Sequence, residues 1–157
     1  MVTRKLRRRR DRGAAAVEFA LVLPLLVMLL FGIMEFGYAF FIQAQVAGAA
    51  RVGVRSYAIN WNTVAAQNNT AAQNDAAAQN TAKAIAKSEV PVPAAVSSEA
   101  FTYKDTNGNL LPGPCSPGLQ TTLTLTYKYH SLTGLLDGIL ASSNITLTGI
   151  GSMACGG

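Results

Sequence analysis

The stretch "RRRRDRGAAAVEFALVLPLLVMLLFGIMEFGYAFFI", residues 7–42, decides how the whole chain is organised. Between Phe19 and Ile42 the only charged residue is Glu35. As an α-helix these residues would extend about 36 Å, enough to cross a hydrocarbon layer of roughly 30 Å. We therefore predict a transmembrane helix here, with a separately folded portion after it.

Positive charge is concentrated in front of this helix. Of 13 Lys and Arg residues seven precede Gly13, whereas only one of the eight acidic residues, Asp11, does so. The rest of the chain carries 13 − 7 = 6 bases and 8 − 1 = 7 acids, so it is close to neutral. A basic segment beside an apolar helix places the N-terminus in the cytoplasm and argues against nucleic acid as a partner. Everything after about residue 43 is then extracytoplasmic.

The segments that follow the span are predicted to be helical. Gln43–Tyr57 contains no proline, so the membrane helix should continue beyond the lipid, and the polar residues at Trp61–Thr63 predict a break. Val64–Lys87 is rich in alanine and glutamine and predicts a second helix. Its repeat, "AAQNNT", "AAQNDA" and "AAQNTA", has a six-residue period that does not align on one helix face, which indicates low complexity rather than a binding code.

Two later stretches alternate apolar and polar residues with period two, Leu119–His130 and Ile145–Met153, and predict strands with one buried face. If they pair antiparallel with residue 130 opposite 144, residue 119 lies opposite 155. Cys115 then lies near Cys155, so we predict a disulfide between them, with two free buried thiols as the alternative.

Shorter signals complete the outer portion. "VPVPAA", from Val90, ends the second helix, Phe101–Tyr103 predicts a strand, and Asn107-Gly108 predicts a turn. Leucines and isoleucine at helical spacing in Leu132–Leu140 predict a short helix that covers the sheet, with a partner-facing patch as the alternative.

The fold class expected is therefore α+β. A long N-terminal transmembrane helix continues into a small extracytoplasmic domain, which has an Ala-rich second helix and a short antiparallel sheet. The predicted divisions are a leader (1–13), the membrane helix (14–42), its extension (43–60), the Ala/Gln/Asn-rich helix (61–89) and a β domain (90–157).

The most informative motif lies where the basic leader meets the span. Gly13 is followed by three alanines, then Val17 and Glu18, and then the apolar run. This arrangement resembles the N-terminus of type IV pilin-like proteins, which a prepilin peptidase cuts just after the glycine. The resemblance implies a cut between Gly13 and Ala14, which would make Glu18 the fifth residue of the mature chain.

The continuation "VEFALVLPLLVMLLFGIMEFGYAF" is similar to the TadE-like pseudopilins of the tight-adherence (Tad/Flp) pilus system, as is the order of elements along nearly the whole chain. In the short major pilins of that system a tyrosine typically follows the glutamate, whereas here Phe19 does. The resemblance therefore implies a minor pseudopilin of the bacterial inner membrane, with the pilus itself as a second expected location. Its implied partners are the prepilin peptidase, other Tad pseudopilins, the major pilin, the inner-membrane platform and membrane lipid.

Two acidic residues are the predicted assembly sites. Cleavage would create an α-amino group on Ala14, and Glu18, one helical turn away, could neutralise it on its own chain or on a neighbouring subunit. The alternative is that Glu18 titrates freely among lipid headgroups. Glu35 could either reach the outer headgroups or pair with another membrane subunit, and the similarity of "FGIMEFG" to TadE-like sequences favours pairing.

No pattern in the sequence points to catalysis. The single histidine, His130, lies on the predicted polar face of a strand without a carboxylate or cysteine at motif spacing, and no phosphate loop or metal cluster appears. We expect neither an enzyme nor a bound cofactor or metal.

Two other functions stay open at this point. Residues 1 to about 50 could be a secretory signal cut near "VAGAA", Val46–Ala50, although the apolar core is longer than is usual for one. Alternatively, an uncleaved anchor could present a binding or adhesion domain outside the membrane.

Overall fold

A computed structural model describes residues 7–64, 71–111, 113–134 and 145–156. Two helices and a four-stranded antiparallel sheet make up the regular structure, which confirms the predicted α+β class. The elements are α1 (Arg7–Val64), α2 (Ala71–Ser88), β1 (Val96–Lys104), β2 (Leu110–Leu111), β3 (Gln120–Lys128) and β4 (Thr146–Ala154). The predicted helix over Leu132–Leu140 falls largely outside the described residues.

The chain divides into two compact units, Met1–Tyr38 and Ala39–Gly157. We call them the span unit and the outer unit. The described part of the span unit is helical, and its large apolar side chains are exposed along its length. The outer unit contains the rest of α1, together with α2 and the whole sheet.

Helix α1 does not break at the predicted position. It ends at Val64, beyond the expected break at Trp61–Thr63. Tyr57 and Ala58 are buried, and Trp61 packs against the core cluster that contains Tyr57. Tertiary contacts of these side chains therefore hold the last turn in helical form in spite of its capping residues.

The sheet has the strand order β2-β1-β3-β4, and every neighbouring pair is antiparallel. Along β3 the buried residues are Thr121, Leu123, Leu125 and Tyr127, which confirms the predicted period-two face. Gln120 lies opposite Ala154, a pair with the same sum of residue numbers as 119 and 155, so the predicted register of these two strands is also confirmed.

Glycines bring α1 and the sheet into backbone contact within the outer unit. A Cβ atom on Gly151 would lie 2.5 Å from the carbonyl oxygen of Ala50, and one on Gly149 would meet the carbonyl of Val46. At Gly53 an added Cβ would lie 2.6 Å from Leu123 Cδ2 and 2.7 Å from the Cβ of Ala86. Because side chains at these positions would collide with backbone or core atoms, glycine is what permits this packing.

Helix α2 adds a second layer of small residues. Asn74, Ala78, Ala82 and Ala86 are buried, and their four-residue spacing places them on one face of the helix. The core they join contains Tyr57, Tyr103 and the two cysteines, with Phe101 packed against it. The outer unit therefore combines small residues that allow close backbone approach with large buried side chains such as Tyr57 and Leu123.

Candidate functional site

The predicted cleavage point lies at the start of the exposed part of α1. Gly13 and Ala14 are both exposed, and no atom lies within 4 Å of the place where a Cβ on Gly13 would be. The bond between them falls inside the helix, which begins at Arg7. The bond is thus unobstructed by the rest of the described chain, but it is helical in the uncut protein.

Glu18 is exposed on the same helix. It follows Ala14 by four residues, so the two lie on one face about one turn, or ~6 Å, apart along the axis. Its neighbours Val17 and Phe19 are 62% and 64% exposed, so the carboxylate is flanked by an apolar surface. An α-amino group on Ala14 would be within reach of this carboxylate, either on the same chain or on an adjacent helix.

The surface around Glu18 is suited to lipid. The helix from Gly13 to Trp61 is long and apolar enough to cross a membrane, and its most apolar 18-residue window is 0% buried. Large exposed side chains of this helix include Leu21, Leu25 and Leu26. Such a continuous apolar surface would be unstable in water, so the helix fits a membrane anchor.

Glu35 differs from Glu18. Its side chain is only 3% exposed, and it interacts with another group of its own chain, so it is not a free carboxylate. Glu18 and Glu35 are 17 residues apart (35 − 18), about 25 Å along a helix, so the structure does not bring the two predicted assembly residues together.

The two cysteines are joined as the sequence predicts. Cys115 and Cys155 form a disulfide with their Cα atoms 5.6 Å apart. Both are almost fully buried, and the amide of Cys155 donates to the carbonyl of Leu119, the residue opposite it in the predicted register. The bridge ties the loop before β3 to the end of β4.

A buried polar cluster in the outer unit was not predicted. The Tyr57 hydroxyl of α1 donates to the Asp75 carboxylate of α2 and lies 2.9 Å from the Tyr103 hydroxyl of β1. Gln79 Nε2 donates to Asp75 Oδ2 and to the Tyr103 hydroxyl, 2.8 Å in each case. The backbone amide of Cys115 donates to the Tyr57 hydroxyl over 3.2 Å. One tyrosine oxygen thus links α1, α2, β1 and the disulfide loop.

Burial keeps both tyrosines of this cluster neutral. It raises the pKa of Tyr57 well above the usual value of 10.0, and the hydrogen bond to Asp75 raises it further because a phenolate would face a carboxylate. Burial likewise raises the pKa of Tyr103. A group held so firmly in its neutral form is suited to structural hydrogen bonding and poorly suited to proton transfer near neutral pH.

The sequence contained only a partial signal for this cluster. Asp75 and Gln79 are four residues apart in the predicted helix, so their contact could have been expected. Tyr57 and Tyr103 lie 46 residues apart in the chain, and no periodic pattern connects them.

The described residues include no candidate metal site. His130 is exposed, and the described part of the chain contains no group of three or more His, Cys, Asp or Glu side chains that could hold a metal ion.

The comparison with protein families agrees with the geometry of α1. Residues 13–55 match the family model described as TadE-like protein. No curated protein and no solved structure gives a match to the chain. The matched segment begins at the predicted cleavage glycine and includes both Glu18 and Glu35. Residues 13–55 are thus similar to the TadE-like family, which supports a protein associated with Tad pili, and the long apolar helix fits a membrane anchor.

Proposed function

We propose that this protein is a minor pseudopilin that supports the biogenesis of a Tad/Flp-type adhesive pilus. A prepilin peptidase removes residues 1–13, and Glu18 then directs assembly with other Tad pseudopilins, the major pilin and the inner-membrane platform. The role is non-catalytic, with the N-terminus in the cytoplasm and the outer unit beyond the inner membrane. The observation that carries the proposal is the family match that starts at Gly13 and contains an exposed glutamate four residues after Ala14.

Electrostatics explains why that glutamate matters. An ammonium group next to lipid is costly unless a counter-ion meets it, and an isolated carboxylate in the same place is costly too. Neighbouring helices can place the Glu18 carboxylate of one subunit beside the Ala14 amine of the next. The two charges then pair, and neither bears the free-energy cost of standing alone next to lipid. The pair therefore favours one axial register between neighbouring helices over all others.

The packing of the outer unit argues against a secretory signal cut near Val46–Ala50. Val46, Ala49 and Ala50 are at most 1% exposed, and the backbone at Val46 and Ala50 contacts Gly149 and Gly151 of β4. A cut there would remove the part of α1 that packs against Gly149 and Gly151. Release of a stable soluble domain by such a cut is not expected.

The intact mass of the protein tests the processing step. It is measured on protein from membranes of a strain that has its own prepilin peptidase. Loss of residues 1–13 supports the proposal. Loss of about 50 residues would indicate a secretory signal, and an unchanged mass would indicate an uncleaved anchor, so either result would overturn it.

A substitution tests the assembly step. Glu18→Ala should leave membrane insertion and the trimmed mass unchanged and should abolish pili, because the new amine loses its counter-ion. Glu89→Ala, which removes an exposed acid of the outer unit, is the matched control and should leave piliation normal. Normal piliation with Glu18→Ala would remove the assembly role from Glu18.

A further inference from the structure

The edge of the sheet at β4 carries backbone groups that point away from β3. The amide of Tyr129 donates to the carbonyl of Ile145, and that of Cys155 donates to Leu119, so odd-numbered residues of this strand direct their backbone groups toward β3. The even-numbered residues therefore direct theirs to the other side. Within the described residues no strand lies on that side. Gln43 Nε2 donates to one of these groups, the carbonyl of Thr148, over 3.0 Å.

Apart from the contact of Gln43, strand β4 carries none of the common sequence devices that protect an edge. Its nine residues, Thr146–Ala154, include no charged residue and no proline, which are the common devices against edge-to-edge pairing. Ile150, near its centre, is 57% exposed. The strand is therefore suited to accept another strand along this edge.

The opposite edge of the sheet, at β2, also exposes a large apolar side chain. Leu110 of β2 is 68% exposed and pairs with Lys104, on the face of the sheet that points away from the core. Ile150 lies on this same outer face, since its neighbours Gly149 and Gly151 are buried. The central strands β1 and β3 present no large apolar side chain there: their outward residues are Ser98, Ala100, Thr102, Lys104, Gln120, Thr122, Thr124, Thr126 and Lys128. The large apolar residues of the outer face thus lie only on its two edge strands.

Strand direction, together with the exposed apolar residue on each edge strand, favours a second copy of this chain as the occupant. Because each of the four strands is antiparallel to the next, β2 and β4 run in opposite directions. Two copies in the same orientation can therefore place β4 of one beside β2 of the other as an antiparallel pair.

We propose that β4 of one copy pairs with β2 of a second copy, so that the sheet continues from subunit to subunit and Ile150 meets Leu110 across the junction. This inference rests on the proposed anchoring of all copies in one orientation. The contact is heterologous, and every copy offers both edges, so it generates an open row rather than a closed dimer. β2 has only two residues, so a single contact is weak, and confinement of the anchors to one membrane raises the effective concentration that sustains it.

Photo-crosslinking of the full-length protein in membranes tests this pairing. A photoreactive phenylalanine analogue replaces Ile150 in one copy, and a differently tagged copy carries no probe. We expect a crosslinked species that contains both tags, joined through the tryptic peptide 105–128 of the second copy, which includes Leu110. The same probe at Thr81, an exposed position of α2, is the control and should give no such species. Crosslinks only within one chain, to other peptides, or only to a different protein would overturn the proposal.

A pair of charge variants tests the junction without relying on the probe at Ile150. With the probe at Ser152 instead, Ile150→Lys should reduce the two-tag product several-fold, because a lysine would face a leucine. Leu110→Glu in the second copy should restore it. Both positions are exposed, so an unchanged fluorescence spectrum of Trp61 and an intact disulfide verify the fold. An equal yield of the two-tag product with neither substitution, with Ile150→Lys alone and with both substitutions would overturn the proposal.

The intact mass of the same samples shows whether residues 1–13 have been removed. Loss of the crosslink in correctly trimmed protein is therefore a failure of the edge contact alone, distinguishable from a failure of the proposed function.

Discussion

The span unit exposes its large apolar side chains, whereas the outer unit buries those of its central strand. In the span unit Leu21 and Leu25 are 75% and 71% exposed, whereas in the outer unit Leu123 and Leu125 are fully buried. The first set is stabilised only when lipid or another helix surrounds it. The second set is stabilised by the chain's own contacts. The difference shows that similar side chains serve insertion in one region and folding in the other.

Three kinds of close contact hold the elements of the outer unit together. Gly53, Gly149 and Gly151 allow backbone contact, the Tyr57 hydroxyl joins three elements and a loop, and the disulfide joins two chain segments. The span unit contains no cysteine. Changes to these contacts should therefore destabilise the outer unit and leave insertion of the span intact.

Removal of the disulfide should have the largest effect. The bridge joins residues 40 positions apart, and a loop of this size contributes about 4 kcal/mol in the chain-entropy model. The double variant Cys115→Ser, Cys155→Ser should lower the free energy of unfolding of the outer unit by about this amount. It is measured by denaturation of the detergent-solubilised protein, followed by fluorescence of Trp61, the only tryptophan. Equal migration of the wild-type protein with and without reductant on a denaturing gel would contradict the bridge itself.

A matched pair of leucine substitutions tests the comparison directly. Leu123→Ala should destabilise the outer unit by about 3 kcal/mol, because it leaves a cavity in a buried core. Leu26→Ala makes the same chemical change at a side chain that is 54% exposed in the span unit. It should leave unfolding of the outer unit unchanged, as measured by the same Trp61 transition. A similar loss for both variants would show that the two units do not differ as described.

Two glycines of α1 form a second matched pair. Gly53→Ala should destabilise the outer unit by about 2 kcal/mol, because its Cβ would collide with Leu123 and Ala86. Gly48→Ala meets no atom within 4 Å and should instead stabilise the helix by up to about 1 kcal/mol. Opposite shifts of the melting temperature are the expected result. A gain in both variants would mean that the close contact at Gly53 is relieved without cost.

The smallest expected effect concerns the buried tyrosine. Tyr57→Phe should cost about 1–2 kcal/mol near neutral pH, since Asp75 and the Cys115 amide lose a partner. The folded-state pKa of Tyr57 lies above its unfolded value, so the folded state keeps a proton that the unfolded state releases above about pH 10. The contribution of Tyr57 to the stability of the outer unit should therefore be constant below this pH and fall as the pH rises above it. Denaturation at several alkaline pH values should show a shallower fall in Tyr57→Phe, and equal slopes would exclude the Tyr57 hydroxyl as the source.

Local patterns were sufficient for much of the fold. The apolar run predicted the membrane-spanning helix, and the alternation in β3 and β4 predicted their buried faces and their register. Register could be predicted because paired residue numbers in an antiparallel ladder keep a constant sum. The end of α1 could not be predicted, because the packing of Trp61 against the core outweighs the effect of the capping residues around it.

The sequence by itself determined the long apolar helix that could cross a membrane, the segment that matches the TadE-like family model, and which cysteines face each other. These features depend on neighbouring residues or on a simple period. Only the tertiary structure decided that Tyr57 joins Asp75, Tyr103 and the Cys115 loop, and that Gly53, Gly149 and Gly151 are contact points. Such contacts join residues far apart in the chain, and their identity depends on how the helices and the sheet pack, which no local period encodes.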